Sequence, residues 1–120
     1  MKDTQYLFDT SAIIDMLRKK EFERGAISVI TVIEVVRGVE EAKRQNIKRL
    51  LEESFDVIGM ENQVILSYCD LYSSLKSDGD ILPDADLLVA SSAMAHDLAL
   101  KSGDNDFERL ENYGLILEKI

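Results

Sequence analysis

The sequence predicts an α/β fold: a parallel central sheet flanked by helices on both faces. Three observations lead there. Short apolar runs alternate with helix-patterned stretches along the whole chain. The helical stretches repeat their apolar residues near the 3.6-residue period. Six Gly and one Pro in 120 residues leave little material for long loops. A chain of this size is expected to form one domain, residues 1–120, around one core. Right-handed crossovers follow, and the functional crevice of such a sheet lies beyond the carboxyl ends of its strands, where strand order reverses.

Tyr6-Leu7-Phe8 reads as the first strand, ended by the helix-start signal Asp9-Thr10-Ser11. The helix that follows carries Ala12, Ile13, Met16 and Leu17. It closes on Arg18-Lys19-Lys20, where cations complement the negative end of the helix dipole. Residues 26–30 form a second strand, and Thr31 opens a helix with apolar residues at 32, 33, 35, 36 and 39. A further helix is expected over 45–54, a third strand over 55–58, and the longest helix over 61–76. Residues 77–83 form a loop whose Pro83 suits a helix entrance, and the next helix runs over 84–96. A fourth strand over 98–100, a short helix over 105–110 and a closing strand over 115–117 complete the chain.

No apolar run approaches the ~20 residues of a membrane span. Lys2 beside Asp3, with no apolar stretch behind them, gives no secretion signal. The lone cysteine, Cys69, has no internal disulfide partner and sits in an apolar helical pattern, so it reads as core filler in a reducing, cytoplasmic setting. The net charge of −9 opposes long-range attraction to nucleic acid, but it is unevenly spread. Residues 18–49 carry nine Lys or Arg against five Glu, a basic quarter within an acidic whole.

Four acids fall at or just after the strand ends: Asp9, Glu34, Asp86 and Asp104. Each also has a local explanation. Asp9 and Asp104 suit helix caps, Thr31 and Glu34 have capping-box spacing, and Asp86 suits the positive end of its helix. Capping explains each acid singly and says nothing of convergence. If they converge, their hard oxygens suit Mg²⁺ or Mn²⁺, while one His and one Cys leave no usual zinc site. Unpaired carboxylates would repel one another and push pKa values upward until a cation is bound. Such a cation activates water and neutralises a leaving oxygen, the chemistry of phosphodiester hydrolysis.

The segments YLFDTSAIID (6–15), SVITVIEVVRG (28–38), DADLLVASSAMA (84–95) and LKSGDNDF (100–107) resemble the PIN-domain ribonucleases, specifically the VapC-like toxins of type II toxin–antitoxin systems. The four occur in the family's order and span nearly the whole chain. The resemblance implies a three-layer PIN-like fold and a metal-dependent endoribonuclease. It assigns Asp9, Glu34, Asp86 and Asp104 to metal binding and catalysis, with Asp106 an additional or substitute ligand or else a helix-start residue. Ser11 matches the family's first-motif hydroxyl, and Ser102 stands where Thr is commoner. The cofactor implied is Mg²⁺ or Mn²⁺, the substrate RNA, the usual state a homodimer, and the partner a cognate antitoxin that blocks the acidic pocket.

Other residues are weighed beside these. Arg37, one turn after Glu34, is a candidate contact to that carboxylate or to an RNA phosphate. Asp15 reads as solvent-facing and His96 as a capping or surface residue. Tyr68 and Tyr72, four apart, read as core, or as part of a dimer face. Two other functions share the pattern: a PIN-domain nuclease of rRNA maturation without antitoxin, and a receiver-like Mg²⁺-binding signalling domain. The receiver needs an Asp after a middle strand, where this chain has Gly59-Met60.

Overall fold

The computed structural model describes residues 5–120, so Lys2 and Asp3 lie outside the described residues. Five strands, β1 (Tyr6–Phe8), β2 (Ala26–Ser28), β3 (Asp56–Ile58), β4 (Ala99–Ser102) and β5 (Leu117–Lys119), pair in parallel in the order β3-β2-β1-β4-β5. The helices are α1 (Thr10–Lys19), α2 (Val29–Arg37), α3 (Arg44–Ser54), α4 (Asn62–Ser77) and α5 (Asp84–Ala95). Two 3-10 stretches, Glu41–Lys43 and Asn105–Tyr113, lead into α3 and β5. Strand order reverses between β1 and β4, which puts the crevice of a parallel sheet beyond Phe8 and Ser102. A receiver domain has the order 2-1-3-4-5 instead, so the topology excludes that reading.

Alternation along β1 builds the layers. Leu7 points to one face, where it packs with Leu71 and Leu75 of α4 and Leu87, Ala90 and Ala93 of α5. Phe8 points to the other, with Ile13 and Met16 of α1, Val32 and Val35 of α2, and Leu51 of α3. Helix α5 is buried over most of its surface, and its small residues permit this. Ser91 and Ser92 satisfy their hydroxyls by donating to the carbonyls of Leu87 (2.6 Å) and Leu88 (2.9 Å). At Gly25, just before β2, a Cβ would stand 2.4 Å from Phe8 Cε2 and 2.9 Å from the Tyr6 carbonyl. The phenyl ring fills the space a side chain would need.

Several expectations are corrected. β2 stops at Ser28, whose Oγ accepts from the Ile30 N–H (3.1 Å) and starts α2 before Thr31. The closing strand shifts to Leu117–Lys119, because Gly114 at φ 103 ends the 3-10 stretch and Leu115 is spent in the core. Cys69 is exposed rather than core. Helix α4 also turns Ile65, Leu66 and Tyr72 outward, so its apolar pattern wraps beyond the buried stripe of Val64, Leu71 and Leu75. Tyr72 is therefore not core, and Tyr68 is half-buried, donating its hydroxyl to Asp84 Oδ1 at 2.6 Å. Asp15 faces solvent as expected and pairs with Lys19 at 3.1 Å. Among the described residues no helix is long and apolar enough to cross a membrane.

Candidate metal centre

Asp9 follows β1 directly and caps α1, so backbone geometry fixes it before any tertiary contact does. Asp9 as a whole is only 5% exposed. Oδ1 accepts from the Ala12 N–H (2.9 Å) and the Ser11 hydroxyl (2.7 Å), and Oδ2 from the Ser102 hydroxyl (2.5 Å). Ser102 reaches it because β1 and β4 are neighbours with Phe8 opposite Lys101. The two serines also accept: Ser102 Oγ from the Asp104 N–H (2.9 Å), Ser11 Oγ from the Gly103 N–H (3.0 Å). The turns after β1 and β4 are thus stitched together around one carboxylate. Capping and convergence are both true of Asp9.

Glu34 does not form the capping box its spacing suggested, because Ser28 already caps α2 three residues before Thr31. Its Oε1 instead accepts from the Thr10 hydroxyl of α1 (2.7 Å), while Arg37 Nη2 stands 3.7 Å from Oε2. Thr31 is fully buried, and its Oγ1 has no partner among the described residues.

Asp86 lies in the first turn of α5, whose entrance is Pro83 rather than a side-chain cap. Its carboxyl is pushed above the usual range, first by burial and then by the charges of Asp104, Glu34, Asp106 and Asp9. Every acid singled out from the sequence is therefore close enough to act on this one group. Asp104 caps the 3-10 stretch behind β4, its Oδ1 accepting from the Asp106 N–H (2.9 Å). Asp86, Asp104 and Asp106 each offer an oxygen, all within 4.8 Å of one another. Asp9 and Glu34 stand outside that tightest trio. The loop before α5 is tied to the 3-10 stretch that Asp104 caps: Arg109 Nη1 donates to Asp80 Oδ1 (2.6 Å), and the Tyr113 hydroxyl to Asp78 Oδ2 (2.5 Å).

The donor set fits a hard divalent cation. Oxygens about 2.1 Å from one Mg²⁺-sized ion lie up to about 4.2 Å apart. The 4.8 Å limit on the trio's spacing stands close to that span. His96 is elsewhere, its Nε2 2.7 Å from Glu61 Oε1 beside a cleft lined by Asp56 and Gly59.

The PIN domain family matches residues 6–113. The chain belongs to that family. Over 118 residues this PIN domain is 32% identical to Ribonuclease VapC1 of Methanocaldococcus jannaschii, covering 95% of the chain and 87% of the relative. Its fold is that of the VapBC of Salmonella typhimurium solved with DNA (TM-score 0.84, 19% identity, 97% and 98% of the two chains). It is also that of VapBC-1 from nontypeable Haemophilus influenzae (TM-score 0.79, 22% identity, 97% and 98%). Sequence reasoning missed two parts of this PIN domain's rim. Thr10 was read only as part of a helix start, and Arg109 was not singled out. Only the position of Thr10 beside Asp9 hinted at a role.

Proposed function

We propose that residues 1–120 act as one PIN-like domain, a metal-dependent endoribonuclease that hydrolyses RNA phosphodiester bonds as the toxin of a toxin–antitoxin pair. The observation that carries this reading is the convergence of Asp104, Glu34, Asp106 and Asp9 on the raised carboxyl of Asp86. Acids meant only as caps have no reason to crowd one another at a cost in repulsion. Bound Mg²⁺ or Mn²⁺ would activate water and stabilise charge on the leaving oxygen. Asp86, Asp104 and Asp106 would hold the ion, with Asp9 and Glu34 completing the catalytic acids. Ser11 and Ser102 hold the Asp9 carboxylate in place by donating to it. Arg37, 72% exposed, is free to turn from Glu34 toward a phosphate.

The family relationship supports RNA as substrate, and the VapBC character of the structural relatives supports a cognate antitoxin, the role of toxin being favoured over rRNA maturation. A guanidinium from that antitoxin would satisfy the same crowded carboxylates. The exposed apolar residues of α4 are consistent with a homodimer, and the unpaired thiol of Cys69 with a cytoplasmic setting. The decisive experiment is cleavage of single-stranded and structured RNA with Mn²⁺ or Mg²⁺. Cleavage is expected to stop in chelator and in Asp86→Asn. Undiminished cleavage in chelator would refute the reading.

A further inference from the structure

Glu34 presents a puzzle that the four-acid description leaves open. It sits mid-helix on a flexible stem, away from the turns that fix Asp9 and Asp104, and the Asp86 trio forms without it. Something must hold its carboxylate in register. Among the described residues, two polar groups approach it. Arg37 is a poor anchor: its guanidinium is mostly solvated and lies 3.7 Å away, beyond good hydrogen-bond distance. Thr10 is a good one. Its hydroxyl donates to Oε1 at 2.7 Å.

Thr10 is itself held rigidly. It is the first residue of α1, next to Asp9, whose carboxylate takes three hydrogen bonds from two different turns. Its β-branched side chain has a restricted χ1. A relay therefore runs from the β1–β4 junction through Thr10 to a carboxylate 24 residues away. With Oε1 occupied, Oε2 is the oxygen left to face a cation, and the weak Arg37 contact is easily given up.

We infer that Thr10 is a positioning residue for the metal centre, aiming Glu34 by fixing Oε1 and presenting Oε2. This rests on the metal-dependent ribonuclease reading and adds a residue to it. Thr10 is only half-buried, so loss of its hydroxyl lets water replace it on Oε1. The fold survives that exchange, and the aim does not.

The test titrates Mn²⁺ by calorimetry into metal-free wild type, Thr10→Val, Thr10→Ser, Glu34→Ala and the Thr10→Val/Glu34→Ala double variant, with metal-free melting curves beside them. Thr10→Val is expected to bind Mn²⁺ about tenfold more weakly, the factor that one hydrogen bond to a charged group commonly represents. Thr10→Ser should return to within about threefold of wild type, since it restores the donor. In the Glu34→Ala background, Thr10→Val should cost nothing further, because the group it positions is gone. In RNA cleavage, the Mn²⁺ concentration for half-maximal rate should rise by the same factor, while the rate at saturating Mn²⁺ falls by less. Unchanged Mn²⁺ affinity in Thr10→Val would overturn the inference, as would failure of Ser to rescue it or additive losses in the double variant. Should wild type itself not bind Mn²⁺, the ribonuclease reading falls too; wild-type binding lost in Asp86→Asn but intact in Thr10→Val sinks Thr10 alone.

Discussion

On the β1 flank of the acidic rim, carboxylates are matched by donors; on the α5 flank they are matched against each other. Asp9 is almost fully buried yet receives a backbone N–H and two hydroxyls. Asp86 is less buried, and each influence on it, burial first and four like charges after, favours the proton. Two aspartates that meet at one rim thus sit in opposite surroundings, one among donors and the other among like charges. One flank is preorganised by the fold, and the other keeps the repulsion that a bound cation would relieve.

The largest effect expected from this contrast is at Asp9. Asp9→Asn should lower stability by about 1–3 kcal/mol in urea unfolding, because it weakens three bonds to a charged acceptor inside the protein. The simple idea that neutralising any member of an acidic cluster relieves repulsion fails here. It should hold for Asp86: Asp86→Asn is expected to raise the metal-free melting temperature, by less than the Asp9 variant loses, and to shrink the rise that Mn²⁺ produces. A loss of stability in Asp86→Asn would break the comparison.

Proton linkage sharpens it. Because the folded-state pKa of Asp86 is raised, the folded chain binds more protons than the unfolded chain above the ordinary carboxylate range. Its contribution to stability is therefore present at low pH and lost as pH rises through the raised value. The stability difference between Asp86→Asn and wild type, both metal-free, should accordingly grow in favour of the variant across that window and then level off. A difference independent of pH would count against the raised carboxyl. The smallest effect belongs to Arg37. Arg37→Ala should change stability by less than about 0.5 kcal/mol, as for other solvated pairs. It should raise KM for RNA while flattening its salt dependence.

Much of this rim was legible in the sequence, since Asp9, Asp86 and Asp104 follow turn signals that local rules detect. The β1–α1 junction reads directly: an apolar triplet, then a cap. Glu34 was found but given the wrong local partner. Thr31 matched the capping-box spacing, yet Ser28 ends β2 and caps α2 at the same residue, leaving no loop for a later start. Its true partner, Thr10, belongs to another helix, and no spacing rule reaches across 24 residues. Helix α4 misled for a different reason. A helix with apolar residues around much of its circumference does not announce which of them face out, so Cys69 reads as core, and Tyr72 as core or dimer face, where both are exposed.

Gly25 lies at the opposite end of the strands from the acids, and its contact with Phe8 has a consequence for anyone altering this chain. β1 and β2 are three residues each, so roughly 10 Å separates the floor of the sheet from its acidic lip. A methyl at 25 would press on both the Phe8 ring and the Tyr6 carbonyl of β1, and Phe8 is the residue on which Asp9 is mounted. Libraries that randomise position 25 would therefore be enriched in chains whose acidic rim is displaced through a lever arm rather than through any change to the acids.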